Sequence, residues 1–242
     1  MLPKAILLDL DDTIVSFSAG ADPCWQSVCQ TFDGRLLDVT AADLFAAIKE
    51  CRGWYWRDVV RNERGRSELK MARRKIVLEA FSRLGIEDAI LARELADAYS
   101  QEREHESTVW LLPGAVETLR RFRSQGILMA LITNGAAESQ WRKIRRFALE
   151  AYFDCIVVEG DFGTGKPDWR VFGYVLEQLG VDAAEAWMVG DSLEWDVRGA
   201  QGVGIFAVWI DASGKGVPAA SGVKPDLVVQ SLAELGERLA TG

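Results

Sequence analysis

Along this chain, short apolar runs end in polar clusters, and between the runs apolar positions recur every three or four residues. The first run, Ala5–Leu8, stops at Asp9-Leu10-Asp11-Asp12-Thr13. Others occupy Ile127–Ile132, Cys155–Val158, Ala186–Val189, Ile205–Trp209 and Leu227–Val229. An unbroken apolar run of this length suits a strand covered on both faces, as in a parallel sheet. Helical spacing covers Ala115–Ser124, Glu138–Phe147 and Trp169–Leu179. This alternation predicts an α/β fold with a doubly wound parallel sheet that includes Ala5–Leu8. Residues 18–111 read differently. They show helical spacing without a convincing strand, with helices starting near Pro23, Thr40, Ser67 and Ile86. Thr40-Ala41-Ala42-Asp43 has the form of a capping box. The expected organisation is a core domain over residues 1–17 and 112–242, interrupted by a helical domain over 18–111.

In a parallel sheet, ligands collect beyond the carboxyl ends of the strands, so the residues after each run carry the functional question. After Leu8 come three acids and a threonine. Carboxylates crowded at a strand end raise one another's pKa unless a cation is bound. That cluster suggests a hard, oxygen-seeking ion such as Mg²⁺ and a carboxylate able to do chemistry. After Ile132 come Thr133-Asn134-Gly135, which offer a hydroxyl, an amide and a flexible backbone to an anion, or alternatively a helix cap and tight turn. After Val189 come Gly190-Asp191-Ser192, with Asp196 a few residues on; these are a second acidic strand end, or a cap and a dipole-compensating acid.

Gly160 to Lys166 satisfies G-x-x-x-x-G-K, the opening of a phosphate-binding P-loop. Pro167 then stands where that motif needs the Ser or Thr that holds Mg²⁺, and it removes a backbone donor. The P-loop reading fails there. Lys166 remains as a placed cation, with Pro167 suited to begin a helix behind it. Together these stations supply a nucleophile, metal-binding acids, anion donors and a fixed cation, the parts of a phosphoryl-transfer site.

Composition narrows the picture. The chain has 242 residues, 49% hydrophobic, with a net charge of −8, so attraction to nucleic acid or an anionic membrane is not expected. No window reaches the length of a membrane span and the opening residues lack a signal-peptide pattern, so a cytoplasmic location is expected. Cys24, Cys29, Cys51 and Cys155 form no C-x-x-C pair and read as reduced thiols. His105 is the single histidine, which leaves zinc sites and histidine-based triads without support. One basic run, from Arg57 through Arg61, Arg64, Arg66, Lys70, Arg73 and Arg74 to Lys75, follows Trp54-Tyr55-Trp56. It reads either as recognition of an anionic or aromatic substrate or as an exposed helix face.

In this order, Asp9-Leu10-Asp11-Asp12-Thr13, Thr133-Asn134, Lys166-Pro167-Asp168 and Gly190-Asp191-Ser192 with Asp196 resemble the motifs of the haloacid dehalogenase superfamily, in its phosphatase branch. The resemblance runs nearly the whole length and implies a Rossmann-like core with an inserted α-helical cap. It implies a Mg²⁺-dependent phosphomonoesterase acting on a small phosphorylated metabolite, as a monomer or homodimer. Asp9 would be the nucleophile and Asp11 the general acid and base. The metal would be held by Asp9, the Asp11 backbone carbonyl and Asp191. Thr133, Lys166 and backbone amides near Leu10, Asp11 and Asn134 would hold the phosphoryl oxygens. Thr13 would support Asp11 through local hydrogen bonds, and Asp196 would either ligate through water or orient Lys166. Asp12 reads as a solvated loop residue. A halide needs no proton on departure, so an acid at Asp11 points to phosphate esters. A phosphomutase and a noncatalytic phosphate-binding protein are the alternatives on the same fold.

Overall fold

A computed structural model of the chain describes residues 2–36, 38–103 and 105–240. The chain divides into two compact units, Met1–Ser16 with Leu111–Gly242, and Phe17–Trp110. In chain order come strands β1 (Ala5–Leu8) and β2 (Val15–Ser16), then helices α1 (Ala21–Thr31), α2 (Ala41–Arg57), α3 (Val59–Ser67), α4 (Leu69–Arg83) and α5 (Ala89–Glu102). After β3 (Trp110–Leu111) follow α6 (Ala115–Ser124), β4 (Leu128–Thr133), α7 (Ala137–Arg146), β5 (Cys155–Val158), α8 (Glu159–Phe162) and α9 (Trp169–Leu179). The last elements are β6 (Ala186–Gly190), α10 (Gly199–Gln201), β7 (Phe206–Ile210), β8 (Leu227–Val229) and α11 (Leu232–Ala240). No helix among the described residues is long and apolar enough to cross a membrane.

The larger unit is built on a six-stranded parallel sheet in the order β5-β4-β1-β6-β7-β8. Every side chain of β1 is fully buried, as a central strand covered on both faces requires, and each large one contributes about 2 kcal/mol by leaving water. From β1 the chain builds outward through β4 and β5, then returns to the other flank of β1 at β6. That reversal opens a crevice at the carboxyl end of β1, the point where such sheets bind ligands. On one face, Val171, Phe172 and Val175 of α9 pack with Leu7, Ile132 and Met188. The Leu112 N–H donates to the Ile14 carbonyl at 2.9 Å, which joins the segment leaving this unit to the one returning.

The smaller unit is helical and has its own core, formed by Trp25, Ile48, Cys51, Tyr55, Ile76, Phe81, Leu95 and Tyr99 among others. The Thr40–Asp43 box is present: the Asp43 N–H donates to Thr40 Oγ1 at 3.2 Å and the Thr40 N–H to Asp43 Oδ2 at 3.4 Å. Helix α3 is an addition to the sequence reading. Its residues carry no apolar stripe, so periodicity gives no sign of it. The helix expected from Ser67 begins instead at Leu69, and the one expected near Ile86 begins at Ala89 behind Asp88, which accepts the Leu91 N–H at 2.8 Å. Much of the basic run is engaged within the unit. Arg61 donates to the Trp54 carbonyl at 3.0 Å and lies 3.9 Å from that indole's centroid, Arg74 is bidentate to Asp97, and Arg73 covers Tyr99. These contacts favour the structural reading of that segment.

Candidate active site

The carboxyl end of β1 delivers Asp9 into the crevice. Its N–H donates to the Val189 carbonyl at 3.0 Å, which carries the β1–β6 ladder one step past the strand. Asp9 is buried and faces Lys166, whose Nζ lies 2.6 Å from Asp9 Oδ1 and 2.7 Å from Asp196 Oδ1. Lys166 and Asp196 are only 2% and 1% exposed, so this is an anion–cation–anion row shut off from bulk water. The row depends on Gly190, because a Cβ there would overlap the Asp196 carboxylate. A π-helical turn over Leu193–Arg198 carries Asp196 inward, and the Ser192 N–H donates to Asp196 Oδ2 at 2.9 Å. Of the two roles open to Asp196 from sequence, this geometry favours orienting Lys166.

Lys166 is placed by Asn134. The Asn134 side chain spans the Lys166 backbone, donating from Nδ2 to its carbonyl at 2.7 Å and accepting its N–H on Oδ1 at 2.8 Å. Both ends of that amide are thereby spent on the loop, which leaves the Asn134 backbone as its route to an anion. Gly165 is what lets the two loops meet, since a Cβ would strike Asn134 and Glu159. Glu159 in turn accepts the Gly135 N–H at 2.7 Å. Pro167 does not begin the helix. It follows a cis Lys166–Pro167 peptide, and Asp168 is the N-cap of α9, accepting the Arg170 N–H at 2.9 Å. The Arg170 guanidinium and backbone N–H hold the Asp168 carboxyl down at about 2.

Asp11 is held from α7. Lys143 Nζ lies 2.6 and 2.5 Å from the two carboxylate oxygens, and Gln140 Nε2 donates to Asp11 Oδ2 at 3.0 Å. The same Gln140 nitrogen contacts Thr133 Oγ1 and the Asn134 carbonyl, the latter at 3.1 Å. Thr13 departs from expectation: its hydroxyl is buried and finds no hydrogen-bond partner among the described residues, and the contacts to Asp11 come from α7. Leu10 is fully buried and its carbonyl accepts the N–H groups of Ile14 and Val15 at 2.9 and 3.0 Å, which shapes the loop carrying Asp11. Asp12 adopts a left-handed backbone (φ 61°) and donates its N–H to the Val15 carbonyl at 2.6 Å.

Asp9, Asp191 and Asp196 each bring a carboxylate oxygen within 4.8 Å of the others. Three carboxylates against the single ammonium of Lys166 leave two negative charges, and every donor is a hard oxygen, so the set fits a divalent cation such as Mg²⁺. The electrostatics agree. Burial raises the Asp9 pKa, Lys166 pulls it back and Asp196 adds to the rise. Asp191 is raised by withdrawal from water and by the charges of Asp9 and Asp196; because its side chain reaches the surface, the neighbouring charges carry the greater weight. Burial works against the Lys166 ammonium, yet Asp196 and Asp9 outweigh it and keep its pKa raised.

Raised carboxyls mean that Asp9 and Asp191, with no metal bound, hold protons more readily in the folded protein than in the unfolded chain. The contribution of these two groups to stability should therefore fall as pH rises from about 4 through the raised values. Asp191→Asn should relieve that crowding: thermal melts without added metal should show the variant at least as stable as wild type, and added Mg²⁺ should raise the melting temperature of wild type but not of the variant. A melting temperature that responds equally to Mg²⁺ in both proteins would remove Asp191 from the candidate metal ligands.

The family model for haloacid dehalogenase-like hydrolases matches residues 3–204, which contain every residue of this cluster. The chain belongs to that family. Phosphoserine phosphatase of Thermus thermophilus is 40% identical over 144 residues, spanning 60% of this chain and 56% of that protein. Pyrimidine 5′-nucleotidase of Escherichia coli is 36% identical over 129 residues, or 53% and 56% of the two chains. The chain thus spans about half the length of these curated relatives. The HAD-hydrolase YfnB of Bacillus subtilis, solved bound to magnesium, superposes with a TM-score of 0.77 over 99% of each chain at 24% identity, a likeness of fold.

Within this haloacid dehalogenase-like hydrolase, the structure brings Asp9, Lys166, Asp191 and Asp196 together, and Asp11 with Thr133. It adds Gln140 and Lys143, which the sequence reading passed over. Their signal was present: Gln140, Lys143 and Ile144 share one buried stripe of α7, and two of the three are polar.

Proposed function

We propose that this chain is a Mg²⁺-dependent phosphomonoesterase that cleaves a small phosphorylated metabolite through an aspartyl-phosphate on Asp9. The observation that carries the reading is the Asp9 carboxylate, buried at the switch point of the sheet and pinned to Lys166 within reach of Asp191 and Asp196. The relatives support this class, since phosphoserine, a pyrimidine nucleotide and, for a Pyrococcus abyssi relative, glyceraldehyde 3-phosphate are all small phosphate monoesters.

In this mechanism an Asp9 oxygen attacks phosphorus and the bond from phosphorus to the ester oxygen breaks. Asp11 gives its proton to the departing oxygen. As a carboxylate it then takes a proton from the water that attacks the aspartyl-phosphate, so inorganic phosphate leaves and Asp9 is restored. Lys166 stands against the phosphoryl oxygens, joined by the Thr133 hydroxyl and the backbone amides near Leu10, Asp11 and Asn134. Asp9, Asp191 and the Asp11 backbone carbonyl are the ligands assigned to Mg²⁺, with Asp196 beside them orienting Lys166. When bound, the ion supplies charge neutralisation that lets an anionic nucleophile approach an anionic ester. The helical unit Phe17–Trp110 is assigned the part of a cap that governs which substrates enter.

The test is phosphate release from a broad panel of phosphorylated metabolites, assayed with Mg²⁺ and with EDTA. Release that requires Mg²⁺ and favours a small monoester is the expected result. Conversion of one phosphorylated isomer to another with little free phosphate would overturn hydrolysis in favour of a phosphomutase. Binding of beryllofluoride with no turnover of any ester would leave a phosphate-binding protein.

A further inference from the structure

The mechanism above leaves two buried polar side chains of α7 without a part. Lys143 and Gln140 are 7% and 3% exposed, and lysine is rarely buried to that degree without a task for its charge. Their atoms converge on Asp11. Lys143 Nζ sits 2.6 and 2.5 Å from both carboxylate oxygens, and Gln140 Nε2 reaches Asp11 Oδ2 at 3.0 Å. The Asp11 side chain is itself 24% exposed, so packing alone does not fix its rotamer. An ammonium bridging both oxygens, together with an amide on one of them, does. Gln140 also contacts Thr133 Oγ1 and the Asn134 carbonyl, so a single amide ties Asp11 to the end of β4. That amide carries two hydrogens for three acceptors, so its bonds are shared between the two strand ends.

We propose that Lys143 and Gln140 are positioning residues that aim the Asp11 carboxyl at the leaving oxygen and hold it in register with Thr133. The inference rests on the phosphatase reading, in which Asp11 serves the departing group. Neither residue touches the phosphoryl group in this assignment. Their effect passes through Asp11, so it should scale with how much the leaving group needs a proton.

The test compares two esters of nearly equal shape, 4-nitrophenyl phosphate, whose anion departs readily, and phenyl phosphate, whose anion does not. With Mg²⁺ present, Lys143→Met should lower kcat on phenyl phosphate by about 10²-fold, with KM little changed, the cost of a misplaced acid. On 4-nitrophenyl phosphate the loss should stay below about 10-fold, because protonation matters less there. Asp11→Asn should show the same selectivity, and Lys143→Arg should recover part of the phenyl phosphate activity. Gln140→Leu gives a second, independent variant should Lys143→Met fail to melt cooperatively. Equal losses on both esters, or no loss on either, would overturn the positioning role while leaving the phosphatase reading intact. Wild type that hydrolyses neither ester and forms no phosphorylated Asp9 would remove both.

Discussion

Asp9→Asn protein should hydrolyse phosphate esters at least about 10⁴-fold more slowly than wild type, with no measurable aspartyl-phosphate. The substitution keeps the shape of the side chain and removes the attacking oxygen's charge. Its fold should tolerate the change. Burial raises the Asp9 carboxyl, so the ionised form is held at a cost, and a neutral amide in that place is not penalised in the same way. Lys166 keeps Asp196 as its partner at 2.7 Å. Inorganic phosphate should bind the variant as tightly as wild type or better, since one negative charge facing the anion is gone. Calorimetry and single-turnover assays separate these effects: lost chemistry with retained phosphate binding is expected, and lost binding with unchanged chemistry would assign Asp9 to the wrong role.

Lys166→Met should damage both stability and activity. The ammonium is 2% exposed and stands between Asp9 and Asp196. Taking away one partner of a buried ion group leaves uncompensated charge and costs about 3–5 kcal/mol, several times the value of an exposed pair. For a chain of this size that corresponds to a fall of roughly 10 °C in melting temperature. Two observations tie the loss to charge rather than to packing. Adding Mg²⁺ should return part of it, and Lys166→Met combined with Asp196→Asn should be more stable than the sum of the single changes implies. Strict additivity of the two substitutions in thermal melts would contradict the shared buried row.

Much of this fold was legible in the sequence because its strands are buried on both faces. Ala5–Leu8, Cys155–Val158 and Leu227–Val229 are bounded as their apolar runs suggest. Strands β4, β6 and β7 end one residue later, at Thr133, Gly190 and Ile210, where ladder pairing with Val158, Trp209 and Val229 continues past the run's expected end, and β4 and β7 also begin one residue later, at Leu128 and Phe206. Hydropathy does not register backbone pairing. The same limit hid α3, a helix without an apolar stripe.

At the site, the acids and Lys166 were legible because they cluster just beyond strand ends. What escaped was the support around them. Thr13 is near Asp11 in sequence, yet its hydroxyl makes no bond among the described residues, while Lys143 reaches Asp11 from more than a hundred residues away. Asn134 likewise spends its amide on the Lys166 backbone, a contact between two loops that only the sheet brings together. Proximity in sequence pointed to Thr13, whereas the tertiary fold brings Gln140 and Lys143 to Asp11.

The whole mechanism depends on Asp9 as the nucleophile. Mass spectrometry of the protein, acid-quenched during turnover of its best panel substrate with Mg²⁺, tests it most directly. A phosphate-sized mass is expected on the peptide holding Asp9 in wild type and on no peptide of Asp9→Asn protein. Rapid turnover with Asp9 unmodified, or a phosphorylated residue elsewhere in the chain, would contradict it.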